Sequence, residues 1–204
     1  MIELLACKLG RNDEVPNIEL AEKLCDSQDK KGINEIVAGL KSKDLAVTND
    51  CIKVLYEIGQ REPALISDFA DDFIDSLSCK NNRLVWGCMT ALACVAQVNP
   101  NALCRRLPEI IDAYKKGSVI TIDNSISVFA WLCKASEECQ ATVFPLLIDH
   151  LATCRAKEIP QHAERMAVCI DQNNKGAFLE VINTRENELS DSQKSRLAKL
   201  KRNL

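Results

Sequence analysis

Three residues with metal-binding side chains lie close together in the second half of the sequence. His150 and Cys154 are four positions apart, which places both on one face of a helix, and His162 follows nearby. Two imidazoles and a thiol are ligands that transition metals accept. The alternative is a histidine that packs against the neighbouring structural repeat, and we adopt this interpretation for His162. The sequence therefore predicts no metal site and no cofactor.

Two clusters of charged residues have explanations that need no ligand. Four carboxylates share one helical face and could hold a hard cation, but one helix supplies all of them and no loop adds oxygens. We interpret them as a solvated acidic ridge: Asp68, Asp71, Asp72 and Asp75. A basic run at the C-terminus could bind phosphates, yet cations at a helix C-terminus also offset the helix dipole. This run consists of Lys194, Arg196, Lys199, Lys201 and Arg202.

Motifs and net charge argue against several classes of function. The sequence contains no Gly-rich phosphate loop, no Ser/His/Asp arrangement and no HExxH. The formal net charge is −3, so nucleic acid is a disfavoured partner. No apolar run approaches the roughly 20 residues that span a bilayer, and Lys8 interrupts the place of a signal peptide. We therefore expect a cytoplasmic, non-enzymatic protein with no membrane contact.

The cysteines are interpreted as core residues. There are 11, an odd number, and no CxxC or Cys/His zinc spacing occurs. Cys51, Cys88 and Cys133 fall on apolar helical positions. We expect most of the cysteines to be small buried hydrophobes in a reducing compartment.

The elements that position these residues are predicted from the stretch between Ser42 and Gly59. Asp44 is a good helix N-cap, and Gly59 is a good terminator. The apolar residues between them recur at helical spacing and form one stripe, made of Val47, Cys51, Val54, Leu55 and Ile58. The stripe must be covered by other helices.

The same unit repeats along the chain with a period near 37 residues. Val47 and Leu84 are equivalent stripe positions, and Pro63 and Pro100 each open a first helix. The first helices that follow these prolines are predicted to be continuous, from Leu65 to Leu77 and from Leu103 to Tyr114. The second helix of the fifth pair is predicted to carry its stripe on Ile159, Ala163, Met166, Ala167 and Ile170.

The period and the second helix resemble HEAT repeats. The positions that match best are Asp44, Val47, Cys51, Val54, Leu55, Ile58 and Gly59. The chain departs from the family where an Arg often follows the Val, because Thr48, Val85, Asp123 and Pro160 occupy that place. The resemblance implies an all-α fold, a right-handed α-α superhelix of five to six helix pairs. It also implies a single domain over 1–204, with 1–31 as N-terminal cap and 172–204 as C-terminal cap.

A row of polar and aromatic residues points away from the predicted stripes. With about 100° per residue, the third, seventh and tenth stripe positions lie on the opposite face. The resemblance implies that second helices line the concave side, so these positions would line an inner groove centred on Trp86 and Trp131. The predicted partner-binding residues are Asn49, Lys53, Tyr56, Trp86, Thr90, Asn124, Trp131, Gln161 and Arg165. The alternative is that curvature packs the rings between neighbouring helices.

Two functions remain open at this point. The first is a scaffold that binds a protein or peptide in a pre-formed groove, since Trp and Tyr are common at binding hot spots. The second is a HEAT-like DNA-binding protein that resembles the alkylpurine DNA glycosylases, in which Trp86, Trp131 and Asp123 would be the similar residues. The mild acidity argues against the second. Neither the partner nor the oligomeric state follows from the sequence.

Overall fold

The computed structural model describes the whole chain, Met1–Leu204. The chain folds into helices joined by turns, without a strand. The α-helices are α1 Val15–Ser27, α2 Lys30–Gly39, α3 Leu45–Arg61, α4 Ala70–Ser76, α5 Asn82–Val95, α6 Pro100–Cys104, α7 Leu107–Lys116, α8 Val119–Ala135, α9 Glu137–Thr153, α10 Ile159–Met166, α11 Lys175–Thr184 and α12 Asp191–Arg202. Short 3₁₀ helices cover Ile2–Leu4, Pro63–Phe69, Ala156–Glu158, Ala167–Cys169 and Glu186–Glu188. None of the helices combines the length and the apolar composition that a bilayer-spanning segment needs.

The chain divides into two compact units, Met1–Ser125 (unit 1) and Ile126–Leu204 (unit 2), and the division falls inside α8. In unit 1, α3 packs against both α1 and α5, and these three helices form one layer. The second layer contains α2, which covers α3, and α4, which covers α5. Each first helix thus lies beside the second helix of its own pair, as a helical repeat requires. The prediction of one domain with two terminal caps stays a prediction.

The predicted stripe of α3 is confirmed. Its five residues are at most 5% exposed, and Ile52 beside them is fully buried because α3 has neighbours on several sides. The predicted cap is confirmed too, since the Ala46 backbone N–H donates to Asp44 Oδ1 at 3.0 Å. This bond satisfies one of the amide groups that the first helical turn leaves without a partner.

The prediction that Gly59 ends α3 is wrong. The helix continues to Arg61, and Gly59 is one of its buried residues. A Cβ atom at Gly59 would lie 2.7 Å from Ile66 Cδ1 and 3.1 Å from Cys94 Cβ. Similarly, a Cβ atom at Gly87 on α5 would lie 2.6 Å from Ile52 Cγ1 on α3. Both glycines are therefore required by the close approach of the packed elements.

Two first helices predicted to be continuous are broken. The segment after Pro63 begins as the 3₁₀ helix Pro63–Phe69 and becomes α-helical only at Ala70. The segment after Pro100 is divided into α6 and α7, and Pro108 lies in the first turn of α7. Proline lacks an N–H, and its ring would clash with the carbonyl group of Cys104 four residues earlier, so a helix that continued through Pro108 would be strained.

Unit 2 is also built from packed helix pairs. α9 packs against α10 and α11, and α10 packs against α12. The core residues include Val143, Leu147, Leu151, Ile159, Ala163, Met166, Phe178 and Ile182, all without exposed surface. The predicted stripe of the fifth pair is only partly correct, because α10 ends at Met166 and Ile170 lies beyond the 3₁₀ turn that follows. In α12 the only buried residue is Leu197, so its basic residues lie on the surface.

The cysteines predicted to be core residues are buried. Cys51 and Cys88 have no exposed surface, and Cys133 is 3% exposed. Six of the free thiols are buried in all: Cys25, Cys51, Cys88, Cys94, Cys133 and Cys169. Burial raises the pKa of the Cys94 thiol to about 11, which keeps it protonated and unreactive at neutral pH.

The contact at Gly87 makes a stability prediction. Gly87→Ala should lower the free energy of unfolding by about 1–3 kcal/mol, because the added methyl group overpacks the α3–α5 contact. Gly176→Ala is the matched control, since no atom lies within 4 Å of its added Cβ. That change should be neutral or stabilise by up to about 1 kcal/mol through helix propensity. Urea unfolding followed by circular dichroism measures both, and equal effects would contradict the proposed contact.

Candidate functional site

Three of the predicted site residues of unit 1, Lys53, Tyr56 and Trp86, lie on one surface formed by α3, α5 and the N-terminal end of α1. We call this surface the Trp86 face and define it by Glu14, Lys53, Tyr56, Arg83 and Trp86. Glu14 is the N-cap residue of α1, Lys53 and Tyr56 lie on α3, and Arg83 and Trp86 lie on α5. The packing of α3 between α1 and α5 brings these side chains together.

Paired charges form the base of the Trp86 face. Glu14 accepts from two cations, with one oxygen 2.5 Å from Arg83 Nη2 and the other 3.0 Å from Lys53 Nζ. Lys53 Nζ also lies 2.7 Å from Glu57 Oε1, one helical turn further along α3. The Lys53 residue is only 7% exposed. An ammonium group buried to this degree requires such partners, and the two carboxylates supply them.

The same network continues to the end of α3. Arg61 Nη1 lies 2.6 Å from Glu57 Oε2, and Arg61 Nη2 lies 2.9 Å from Glu22 Oε1 on α1. The complete chain of ion pairs is Arg83, Glu14, Lys53, Glu57, Arg61 and Glu22. Three cations alternate with three carboxylates, so the formal charge of the network is zero.

Burial and ion pairing shift the pKa values of Lys53 and Glu57 in opposite directions. Burial alone would lower the pKa of Lys53, but hydrogen bonds to Glu57 and Glu14 outweigh it and the pKa is raised. Burial alone would raise the pKa of Glu57, but hydrogen bonds from Lys53 and Arg61 outweigh it and the pKa is lowered. Both groups are therefore charged at neutral pH.

Aromatic rings form the upper part of the Trp86 face. The ring centroids of Tyr56 and Trp86 are 5.8 Å apart with a 44° angle between planes, a tilted contact of the kind that aromatic pairs prefer. Lys53 Nζ lies 4.8 Å from the Tyr56 centroid, and the Arg83 guanidinium lies 6.0 Å from the Trp86 centroid. Tyr56 is 7% exposed, whereas Trp86 is half-buried. The indole is thus held by neighbours on its inner side and still reaches the surface.

The predicted amide and hydroxyl residues of unit 1 link successive helices. Asn81, the N-cap of α5, donates from Nδ2 to Asn49 Oδ1 on α3 at 2.8 Å. Asn124 Nδ2 donates to Thr90 Oγ1 on α5 at 2.9 Å. Asn49, Thr90 and Asn124 remain partly exposed. Each bond fixes the orientation of its amide, so these side chains form a rigid polar margin beside Trp86.

The remaining predicted residues belong to unit 2. Trp131 on α8 is half-buried, and Lys134 Nζ lies 5.1 Å from its ring centroid. Gln161 and Arg165 lie on α10 and are also partly exposed. Trp86 and Trp131 both keep exposed surface, so neither ring is fully enclosed between neighbouring helices. The binding role of all nine residues stays a prediction.

The structure differs from the sequence prediction in what these residues contact. Lys53 and Tyr56 were predicted to point into an open groove, but both are buried by partners within unit 1. Sequence reasoning did not identify Glu14 and Arg83 as part of this surface, and these residues are 69 positions apart. No local pattern connects residues at that separation. Asn81, by contrast, could have been found as a helix N-cap.

The acidic ridge on the other layer of unit 1 has cationic partners. Arg106 Nη1 lies 2.7 Å from Asp75 and 3.5 Å from Asp71, and Lys41 Nζ lies 2.9 Å from Asp72. The negative charges of the acidic ridge are thus balanced by surface ion pairs, and the ridge forms no part of the candidate site.

The buried ion pairs predict a pH-dependent effect of Lys53→Met, which keeps the aliphatic stem but removes the charge. At pH 7 the substitution should cost about 1.5–3 kcal/mol, because Glu57 loses a charged hydrogen-bond donor. The folded-state pKa of Glu57 is lowered, so its contribution is present above the ordinary carboxyl pKa and lost as pH falls below it. The difference from the unaltered protein should therefore shrink below about pH 4.

Lys116→Met is the matched control, because it removes the same charge from an exposed i,i+4 pair with Asp112. It should cost less than about 0.5 kcal/mol at every pH. Urea unfolding at pH 7, 5 and 3.5 tests both changes. A Lys53→Met effect that is small, or that does not vary with pH, would show that the buried network contributes little.

Proteins of known structure share the fold of this chain at low sequence identity. The sequence matches no family model and no curated protein. An engineered protein of known structure superposes with a TM-score of 0.63 at 14% identity, covering 99% of this chain and 95% of that one. Kap121p, a HEAT-repeat karyopherin, superposes with a TM-score of 0.65 at 14% identity, covering 88% of this chain and 20% of Kap121p.

A crystal structure of Kap121p bound to Pho4p gives a TM-score of 0.66 at 12% identity, covering 93% of this chain and 21% of Kap121p. The chain thus spans about a fifth of Kap121p. Identities this low establish a shared fold and no shared activity. The all-α architecture implied by the resemblance to HEAT repeats is confirmed, and the chain has the fold of a HEAT-like α-solenoid.

Proposed function

We propose that the chain is a non-enzymatic module that binds a protein or peptide partner through the Trp86 face. Solenoids of stacked helix pairs offer extended surfaces to partners, which makes protein binding the function that this fold favours. Kap121p, which has a similar fold, is known in structures bound to Pho4p and to Ste12p. A cytoplasmic location fits such a role and stays a prediction.

The observation that carries the proposal is the state of Trp86. The indole is half-buried, and its inner side is fixed by the tilted contact with Tyr56 and by Arg83. A partner that covers the exposed part of this ring gains an aromatic contact at little entropic cost, because the side chain is already ordered. The side-chain amides of Asn49 and Asn124 are already held by hydrogen bonds to Asn81 and Thr90, so a partner need not reorient them.

The charges on this surface indicate the kind of partner. Its cations already have carboxylate partners, and the ion-pair network is neutral, so an acidic ligand would gain little from long-range attraction. We therefore expect a peptide or protein segment that places an apolar side chain on Trp86 and hydrogen-bonds to the polar margin. The same neutrality disfavours DNA, whose affinity depends on unpaired cations. No specific observation favours the glycosylase alternative.

The proposal extends to the predicted residues of unit 2. Trp131, Gln161 and Arg165 are partly exposed, and the Trp131 ring has a cation beside it, since Lys134 Nζ lies 5.1 Å from its centroid. A partner contact there is the second part of the proposal and is tested by separate substitutions.

The test has two stages. Partners are first captured from the native host with the unaltered chain and identified by mass spectrometry. The dissociation constant of each purified partner is then measured by calorimetry. Trp86→Ala should weaken binding by about 30-fold or more, which corresponds to the roughly 2 kcal/mol of a hot spot. Trp131→Ala tests the contact in unit 2 in the same way.

Two controls make the result specific. Val98→Ala shortens an exposed apolar side chain outside the Trp86 face and should leave affinity unchanged. Trp86→Phe keeps a ring against Tyr56 and should retain the fold, as judged by thermal unfolding, while losing part of the affinity. A partner that binds Trp86→Ala as tightly as the unaltered chain would overturn the proposal. So would a chain that captures no protein and instead shifts duplex DNA in a salt-dependent manner.

A further inference from the structure

Two histidines of unit 2 face each other across a helix pair. His150 lies in the last turn of α9, and His162 lies on α10. His150 Nε2 and His162 Nδ1 are 2.9 Å apart, and the two ring centroids are 4.7 Å apart. His162 has no exposed surface. The sequence interpretation assigned His162 to packing against the neighbouring repeat, but the structure also directs its ring towards His150 in its own helix pair.

A thiol completes the cluster. Cys154 is the C-cap residue of α9, and its backbone N–H donates to the His150 carbonyl at 2.8 Å. The chain then turns through the 3₁₀ helix Ala156–Glu158 and returns as α10, which carries His162. One ligand atom from each of the three residues lies within 4.8 Å of the other two. The helix end, the turn and the packing of α9 on α10 together create this convergence.

We propose that His150, Cys154 and His162 form a binding site for a divalent transition metal, with Zn²⁺ as the ion whose preferences fit best. Zn²⁺ accepts imidazole nitrogen and thiolate sulfur in tetrahedral geometry. Three protein ligands leave a fourth position for water or an external ligand. Hard cations such as Mg²⁺ and Ca²⁺ prefer oxygen ligands, so they do not suit this donor set.

Metal binding requires a small movement and a change in protonation. Zn–N bonds of about 2.0–2.1 Å at a tetrahedral angle separate two ligand nitrogens by roughly 3.4 Å, so the histidine rings must move apart by roughly half an ångström. The ring that donates in the His150–His162 hydrogen bond must carry its proton on its other nitrogen. The Cys154 thiol loses its proton to solvent, since the thiolate is the ligand form. The partial exposure of Cys154 gives the ion access.

An arginine holds the turn that presents the thiol. Arg185 Nη1 donates to the carbonyl oxygens of Leu151 at 3.0 Å and Cys154 at 2.7 Å. The same nitrogen lies 3.8 Å from Cys154 Sγ. Burial raises the pKa of the Cys154 thiol, and the positive charge of the guanidinium offsets part of this effect. The hydrogen bonds of Arg185 also restrict the movement of the residue that carries the sulfur. This site is independent of the protein-binding function proposed for the Trp86 face.

Cobalt is the probe for this proposal, because Co²⁺ takes the place of Zn²⁺ and reports its ligands by absorption. The full-length, reduced and chelator-treated protein is titrated with Co²⁺ under anaerobic conditions. We expect one Co²⁺ per chain, with the charge-transfer absorption of a cobalt–thiolate bond and the strong d–d bands of a tetrahedral site. Added Zn²⁺ should abolish these bands by displacing Co²⁺.

Substitutions then assign the ligands. Cys154→Ser should abolish the charge-transfer band and weaken Zn²⁺ binding by more than about 100-fold, at least the effect of losing a supporting residue. His150→Gln should weaken binding by a similar factor. Cys79→Ser is the matched control, because Cys79 is an exposed free thiol in unit 1 and its loss should change nothing. Circular dichroism confirms that each variant is folded.

Three results would overturn the proposal. The first is no saturable Co²⁺ binding by the unaltered protein at about 100 μM, a concentration that nearly fills a site with a dissociation constant of about 10 μM or less. The second is binding that Cys154→Ser leaves unchanged. The third is equal loss of signal in Cys79→Ser and Cys154→Ser, which would indicate non-specific binding to thiols. In any of these cases the histidine pair is a structural hydrogen bond only.

Discussion

The close approach of α3 and α5 is the constraint on which the structure of unit 1 depends. The side chain of Ile66 lies against Gly59 and that of Ile52 lies against Gly87, so neither glycine has room for a Cβ atom. Since α3 also packs against α1, it is enclosed on both sides within its layer. Lys53 on its polar side is therefore buried, and its charge needs partners inside the unit.

The ion pairs and aromatic contacts of the Trp86 face follow from this enclosure. Lys53 is buried, so its charge must be balanced, and Glu14 at the start of α1 and Glu57 one turn along α3 supply the carboxylates. Arg83 shares Glu14 and also lies near the Trp86 ring. The result is a rigid, electrically neutral surface from which one indole emerges. Such a surface suits a preformed contact with a protein better than attraction of a polyanion.

In unit 2, the packing of one helix pair brings together two imidazoles and a thiol instead of ion pairs and aromatic rings. His150 lies in the last turn of α9 and Cys154 caps the helix, and the short turn that follows returns the chain so that His162 faces them. The Arg185 guanidinium holds the turn through two backbone carbonyl groups. The spacing of His150 and Cys154 on one helical face is visible in the sequence, but the position of the third side chain depends on how α10 packs.

The sequence alone determined the helical architecture, because its signals are local. The apolar spacing of Val47 to Ile58 defines a buried face, and the Asp44 cap forms within a single helical turn. The break before Pro108 is also readable in the sequence, since proline has no N–H and its ring clashes with the carbonyl group four residues earlier, but the prediction of a continuous helix did not use that signal. A glycine such as Gly59 can end a helix or permit close packing, and only a neighbouring element distinguishes the two roles.

Only the tertiary structure decided which side chains meet. Glu14 and Arg83 are 69 residues apart, and their contact depends on how α1, α3 and α5 stack. The same holds for the His150–His162 contact, which depends on the turn between two helices. Contacts of this kind are set by helix packing angles and interaxial distances, which arise from many side chains at once, so no short stretch of sequence specifies them.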